Sequence, residues 1–281
     1  MTKHNISSIF LIFLLISTII LSVIRSVEAQ NIEVYSESLT AISRITYNEN
    51  NIIQKKDPEI KVVAFDSLKM PILMYHHIRD YNNSKDPIGT GLSVSPANFE
   101  RNIKELIASG YTTISFNELI QHVQKGAPLP TKPIIISFDD GYDNNYINAY
   151  PIMKKYNQKG SFAIITGYVG NPGYMSWDNI KELKNNGNEI ISHTVSHADL
   201  STLSEESLKN QLGQSKKDLD TILGQNTETL IYPCGKYNQL VEKIALESGY
   251  KLARTTKYGT EITKNNLFEL STVRMTNSSS L

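Results

Sequence analysis

The sequence predicts an α/β barrel built on a parallel sheet, and three observations carry that prediction. Short, continuously apolar runs such as PILMYH, PIIISF and SFAIIT mark strands covered on both faces. They alternate with segments whose apolar residues recur at helical spacing, and repeated strand–helix units imply a parallel sheet that closes into a barrel. Asp139 and Asp140, His76 and His193 each fall where an apolar run ends and a loop begins, the place where such barrels carry reactive groups.

The chain divides into three stretches. Residues 1–29 combine a basic start, the apolar run IFLIFLLISTIILSVI and small residues at Val27 and Ala29, as expected of an export signal cleaved after Ala29 or of a membrane anchor. Residues 30–69 are polar and read as a spacer, and residues 70–281 as one domain of alternating apolar runs and amphipathic segments. Within that domain PILMYH, TTIS, PIIISF, SFAIIT, EIIS, TLIYP, YKLAR and ELSTVR are the expected strands. SPANFERNIKELIASG reads as a helix capped by Ser95, opened by Pro96 and stopped at Gly110. NNYINAYPIMKKYNQKG is expected to kink or break at Pro151. SWDNIKELKNNG, LSEESLKNQLGQSKKDLDTILG and YNQLVEKIALESG each end at glycine after helical apolar spacing.

The 28 Lys and Arg balance the 28 Asp and Glu, so the net charge of zero argues against a nucleic-acid partner. With Cys234 the only cysteine, no disulfide forms within the chain, and stability must come from the core.

Asp139 and Asp140 are the first candidates for chemistry. Neighbouring carboxylates raise one another's pKa, and a divalent cation relieves that by taking one as ligand and leaving the other free as a base. Read without a ligand, the pair is simply acidic residues at a helix start, favoured by about 0.3–1 kcal/mol each. His193 and His197, four residues apart after EII, sit on a loop from which two imidazoles can reach one ion with Asp140. The plain alternative for H-x-x-x-H is two exposed histidines. In the run ending YHH, His76 and His77 point to opposite faces, and the one at the barrel mouth can act as a general acid. Trp177 reads first as packing at a helix start capped by Ser176, and second as a wall against which a sugar stacks.

Taken together, SFDDGY, SHTVSH and the order of the segments between Met70 and Thr276 resemble the NodB-homology polysaccharide deacetylases, carbohydrate esterase family four. The resemblance implies a distorted (β/α) barrel of about seven strands. It implies Asp139 as base, with Asp140, His193 and His197 holding a divalent metal ion, in most members zinc. LMYH ahead of the Asp motif is similar to the permuted subgroup that includes exported poly-N-acetylglucosamine deacetylases, which makes His76 the general acid. IYPCGKYN resembles the segment whose backbone holds the oxyanion, placing that role at Pro233, Cys234 and Gly235. The family's usual arginine in this segment is missing, and Arg274 or Arg254 is the expected substitute that orients the base. The implied activity is removal of N-acetyl groups from an extracellular or cell-wall polysaccharide by a secreted or membrane-associated monomer. The alternatives are an O-acetyl esterase acting on a xylan-type polymer and an inactive carbohydrate-binding module.

Overall fold

The structure is a computed structural model that describes residues 67–280. The expected export segment, and the polar spacer up to residue 66, lie outside the described residues. Among the described residues no helix is long and apolar enough to cross a membrane.

Seven strands form a closed parallel barrel: β1 (Ile72–Tyr75), β2 (Pro133–Phe138), β3 (Ser161–Ile164), β4 (Glu189–Ser192), β5 (Thr229–Ile231), β6 (Leu252–Tyr258) and β7 (Leu270–Arg274). Each pairs with the next in the chain, and β7 closes the ring against β1 through Val273↔Leu73 and Arg274↔Met74. The expected strand TTIS shrinks to Thr112–Thr113, which pairs only with the first residues of β2 and stays out of the ring. Farther along β2, Ser137 and Phe138 pair with β3 instead. Leu68–Lys69, at the end of the expected spacer, pairs antiparallel with Glu261–Ile262.

Helices cover the barrel: α1 (Pro96–Ala108), α2 (Phe116–Lys125), α3 (Tyr150–Lys155), α4 (Trp177–Asn185), α5 (Ser215–Leu223) and α6 (Gln239–Glu247). Ser95 caps α1 by accepting the Asn98 N–H, and Ser115 and Ser176 form capping boxes with Glu118 and Asn179. Two helices depart from their sequence reading. Pro151 does not break its helix; the residues before it, Asn145–Ala149, widen into a π turn, and Pro151 falls in the first turn of α3, where a missing N–H costs little. The long LSEESLKNQLGQSKKDLDTILG helix likewise carries a π segment, Asn210–Gln214, between Glu205–Lys209 and α5.

Strand alternation sorts the side chains. Ile72, Ile135, Ala163, Ile191, Ile231, Leu252 and Leu270 share one buried cluster inside the barrel, floored by Phe116, Leu119, Ile120 and Val123 of α2. Their neighbours Leu73, Tyr75, Ile134, Ile136, Phe138 and Ile164 pack outward with Phe99 and Ile103 of α1, Met153 of α3 and Leu183 of α4. Leu230, Tyr232 and Ala253 meet Val241, Ile244 and Ala245 of α6. The inward parity continues toward the mouth, past the ends of β1, β2 and β4 and along β6. It runs from Met74 to His76, from Ser137 to Asp139, from Ile191 to His193, and from Leu252 to Arg254. Four polar side chains therefore converge on one mouth because each stands an even number of residues beyond an inward apolar one.

The floor helix is tied in by Glu189 at the start of β4. Its carboxylate accepts the N–H groups of Phe116 (2.9 Å) and Asn117 (2.8 Å) and the Ser161 hydroxyl (2.6 Å). Burial pushes its pKa up, while these three donors pull the other way. Glu189→Ala leaves the three donors without an acceptor in the interior. It is expected to cost about 3 kcal/mol or more in urea denaturation, with Glu189→Gln losing visibly less.

Candidate active site

The loop leaving β2 begins with Asp139 and Asp140, which are only 2% and 7% exposed. Each has a separate partner. Nη2 of Arg254, itself fully buried, lies 2.5 Å from one Asp139 oxygen and 2.6 Å from the other. Nη1 of the same guanidinium donates to the Thr255 carbonyl at 3.0 Å and touches Met74 Sδ at 2.9 Å, fixing its plane. Burial alone would raise the Asp139 pKa, but Arg254, with the nearby histidines, holds it below the ordinary carboxylate value. Of the two arginines expected to orient this carboxylate, Arg254 makes the contact. Arg274 is exposed, and its charge is among those that weaken proton binding at His76, after the effect of burial.

Asp140 faces two imidazoles. Its Oδ1 lies 3.2 Å from His193 Nε2 and 3.4 Å from His197 Nε2, and the three donor atoms fall within 4.8 Å of one another. Nδ1 of His193 donates to the Ile231 carbonyl at 2.8 Å, so in the neutral ring Nε2 carries a lone pair aimed at the carboxylate. Asp140 Oδ1 itself is buried and accepts no well-formed hydrogen bond. The His193 lone pair and a buried anionic oxygen repel unless a positive charge sits between them. Burial opposes charge on His193, yet Asp140 outweighs it and raises the imidazole's pKa. Asp140 in turn is pulled below its ordinary range by the histidines. Two imidazoles and one carboxylate are a donor set suited to zinc or iron, with coordination positions left for water. The trio can hold one divalent cation.

His76 completes the mouth. Its Nε2 is 3.9 Å from Asp139 Oδ2, and burial, opposed by the two aspartates, lowers its pKa. His77 points away. It stacks on Tyr142 at 3.7 Å, accepts the Asn144 amide N–H, and is pushed down to about 4, first by burial. Trp177 is half-buried and packs against the outward core cluster.

Backbone strain marks the same place. Asp140 (φ 75°), Thr194 (φ 68°), His197 (φ 57°) and Cys234 (φ 53°) are left-handed non-glycine residues, and for the β-branched Thr194 this is a true outlier. Polar side chains hold these loops. Gln211, in the second π segment, accepts the N–H groups of Val195 (3.2 Å) and Ser196 (3.0 Å). Asn144, just before the first π segment, accepts the Ile78 N–H at 2.8 Å. After β5 the chain turns through Pro233, Cys234 and Gly235. A Cβ on Gly235 would come within 2.6 Å of the Thr256 backbone nitrogen, so only glycine fits there. Sequence reasoning did not find Gln211 or Asn144, because nothing in a polar helical residue shows which loop it will meet.

Residues 126–253 match the family model described as polysaccharide deacetylase. A Bacillus subtilis (strain 168) protein described as a polysaccharide deacetylase, YxkH, is 32% identical over 225 residues, covering 79% of this chain and 78% of its own. The poly-beta-1,6-N-acetyl-D-glucosamine N-deacetylase of Staphylococcus aureus is 29% identical over 234 residues, 74% of this chain and 80% of that protein. Among solved structures, the Streptococcus pyogenes deacetylase PplD in complex with acetate is similar at 32% identity and a TM-score of 0.71. It covers 76% of this chain and 95% of that one.

The Arg254–Asp139 pair also makes a stability prediction. A carboxyl held below its ordinary value of 3.8 contributes stability above that pH, which is lost as the pH falls through the lowered value. Arg254→Met leaves a buried charge unpaired and is expected to cost about 3–5 kcal/mol near neutral pH. The difference from wild type narrows below about pH 4 in acid titrations of unfolding, as Asp139 takes up a proton.

Proposed function

The chain belongs to the polysaccharide deacetylase family, and from that premise we propose that it removes N-acetyl groups from an extracellular or cell-wall polysaccharide containing β-linked N-acetylglucosamine. The observation that carries this reading is the division of labour between the two aspartates. One is engaged by a buried arginine, with the His76 ring 3.9 Å away; the other faces two closer imidazoles and has a buried, unpaired oxygen. Asp140, His193 and His197 would hold the cation, with zinc as the metal their chemistry suits. When bound, it supplies charge that polarises the acetyl carbonyl and makes a water molecule acidic enough to lose a proton near neutral pH.

The chain's own groups do the rest. Asp139, kept ionised by Arg254, accepts the proton of the attacking water as the new C–O bond forms. The carbonyl's electron pair moves onto oxygen, and the Cys234 backbone N–H, on the left-handed turn after β5, would be the donor to that charge, since the Gly235 N–H already donates to the Tyr232 carbonyl. His76 delivers a proton to the amide nitrogen as the C–N bond breaks, because nitrogen leaves poorly without one. Its low pKa keeps it neutral at rest. The 3.9 Å gap to Asp139 makes that carboxylate, freshly protonated, its nearest proton source. The products are acetate and a free amino sugar. Acetate bound to the similar Streptococcus pyogenes deacetylase supports the reading, as does the poly-N-acetylglucosamine named for the Staphylococcus aureus relative. Such a substrate places the protein outside the cytoplasm, in keeping with the export-like residues 1–29.

The test is acetate release from N-acetylglucosamine oligomers and from acetylated xylan, with and without chelator. Release from the first that stops on metal removal supports the proposal. Release from xylan alone makes it an O-acetyl esterase, and activity that survives complete metal removal contradicts the scheme. Asp139→Asn is expected to keep bound metal while losing at least 10²–10⁴-fold in turnover. His193→Ala is expected to lose metal and turnover together. His76→Ala is expected to retain metal and lose on the order of 10²-fold in turnover, and unchanged activity would remove it from the mechanism.

A further inference from the structure

The barrel mouth carries a feature that the acetyl chemistry does not use. Tyr142, Tyr174 and Tyr168 form a continuous row of half-buried rings, with centroids 5.3 Å apart for the first pair and 5.2 Å for the second. The row starts at the donor trio. Tyr142 follows Asp140 by two residues, and after burial the Asp140 charge is the next cause raising the pKa of both the Tyr142 and Tyr174 phenols. At the other end the Tyr168 hydroxyl donates to the carbonyl of Ser196, between His193 and His197. The rings thus run from the loop carrying one ligand candidate to the loop carrying the other two.

The row is rigid as well as contiguous. Tyr142 and Tyr174 are joined as an antiparallel bridge, flanked by the Met175 N–H donating to Gly141 and the Asp143 N–H donating to Gly173, both at 3.0 Å. His77 backs Tyr142 in a near-parallel stack. Tyr146 and Tyr156 pack against the hydrophobic core; these three rings stand outside the core clusters and remain partly open. Stapled loops holding partly open aromatic rings beside a reactive centre are suited to ligand contact, since their ordering cost is met in folding and not on binding.

We infer that this row is the platform for the sugar unit adjoining the one that loses its acetyl group, so that the protein selects polymer chains over single sugars. The inference rests on the proposed function for the identity of its ligand. A pyranose ring presents an apolar C–H face that packs on an aromatic surface, while the phenol tips can bond its hydroxyls. Two linked rings beyond Tyr142 give room for more than one flanking unit.

The experiment measures acetate release by the zinc-loaded protein from β-linked N-acetylglucosamine oligomers, from the single sugar to the hexamer. Wild-type kcat/KM is expected to climb with length. Tyr174→Ala and Tyr168→Ala are expected to raise KM for the hexamer about five- to tenfold, the scale of one lost stacking contact, and to flatten the climb. Tyr174→Phe, which keeps the ring, retains most of it. A wild-type rate indifferent to length, or alanine variants that keep the climb, overturns the inference. Calorimetric binding of the same hexamer to chelator-treated protein reads the platform without turnover. If wild type releases no acetate, the proposed function fails, and equal hexamer affinity of wild type and Tyr174→Ala would still refute the platform on its own.

Discussion

Asp139 and Asp140 are both buried, and neither can be left as an uncompensated charge. The fold answers with two different partners. A fully buried guanidinium from β6 neutralises the first, and two imidazoles flank the second, the His193 ring with a lone pair that a positive charge reconciles. A single partner for both carboxylates would leave no distinction between them. Because Arg254 occupies Asp139, a cation at the mouth is left with Asp140, and because the imidazoles converge on Asp140, Asp139 stays out of the donor set. The chemistry proposed for the site follows from that separation.

Holding the separation requires strain, and the molecule concentrates it. Four of the five left-handed non-glycine residues among those described lie on the loops after β2, β4 and β5, where a relaxed backbone would carry the side chains past the mouth. The compensation is distributed. Gln211 binds the His193–His197 loop from the second π segment, Asn144 and Asn148 bind the His77–Ile78 segment from around the first, and Glu189 fixes the floor at the opposite end. Both π segments sit next to these contacts. A wider turn redirects a polar side chain without ending the helix.

The parallel barrel was legible because its strands are continuous apolar runs separated by helical spacing, signals that tertiary contacts reinforce. The convergence of His76, Asp139 and His193 was legible because each stands just past a strand end and follows its strand's alternation, whereas Asp140 and His197 reach the mouth through left-handed loop backbone. What the sequence left open was decided by register. Arg254 lies within β6 and Arg274 ends β7, and the pairing of Arg254 with Ile231 and Leu270 puts its side chain inside the barrel against Asp139. A signal did exist, since Arg254 continues the inward parity of Leu252 while Lys251 falls on the opposite parity. TTIS was read as a full strand because threonine and isoleucine favour extended backbone, but β3 takes the adjoining position on β2 beyond its second residue. The tyrosine row was invisible for a different reason. Tyr142, Tyr168 and Tyr174 lie in separate turns, and only a backbone bridge between loops aligns them.

Anomalous diffraction at the zinc edge from zinc-soaked crystals tests the pairing of charges most directly. One ion per chain, bonded to an Asp140 oxygen and to Nε2 of both His193 and His197, with Asp139 still on Arg254, is the expected result. An ion bound through Asp139, or a site that stays empty while His193 and Asp140 share a proton, would contradict it.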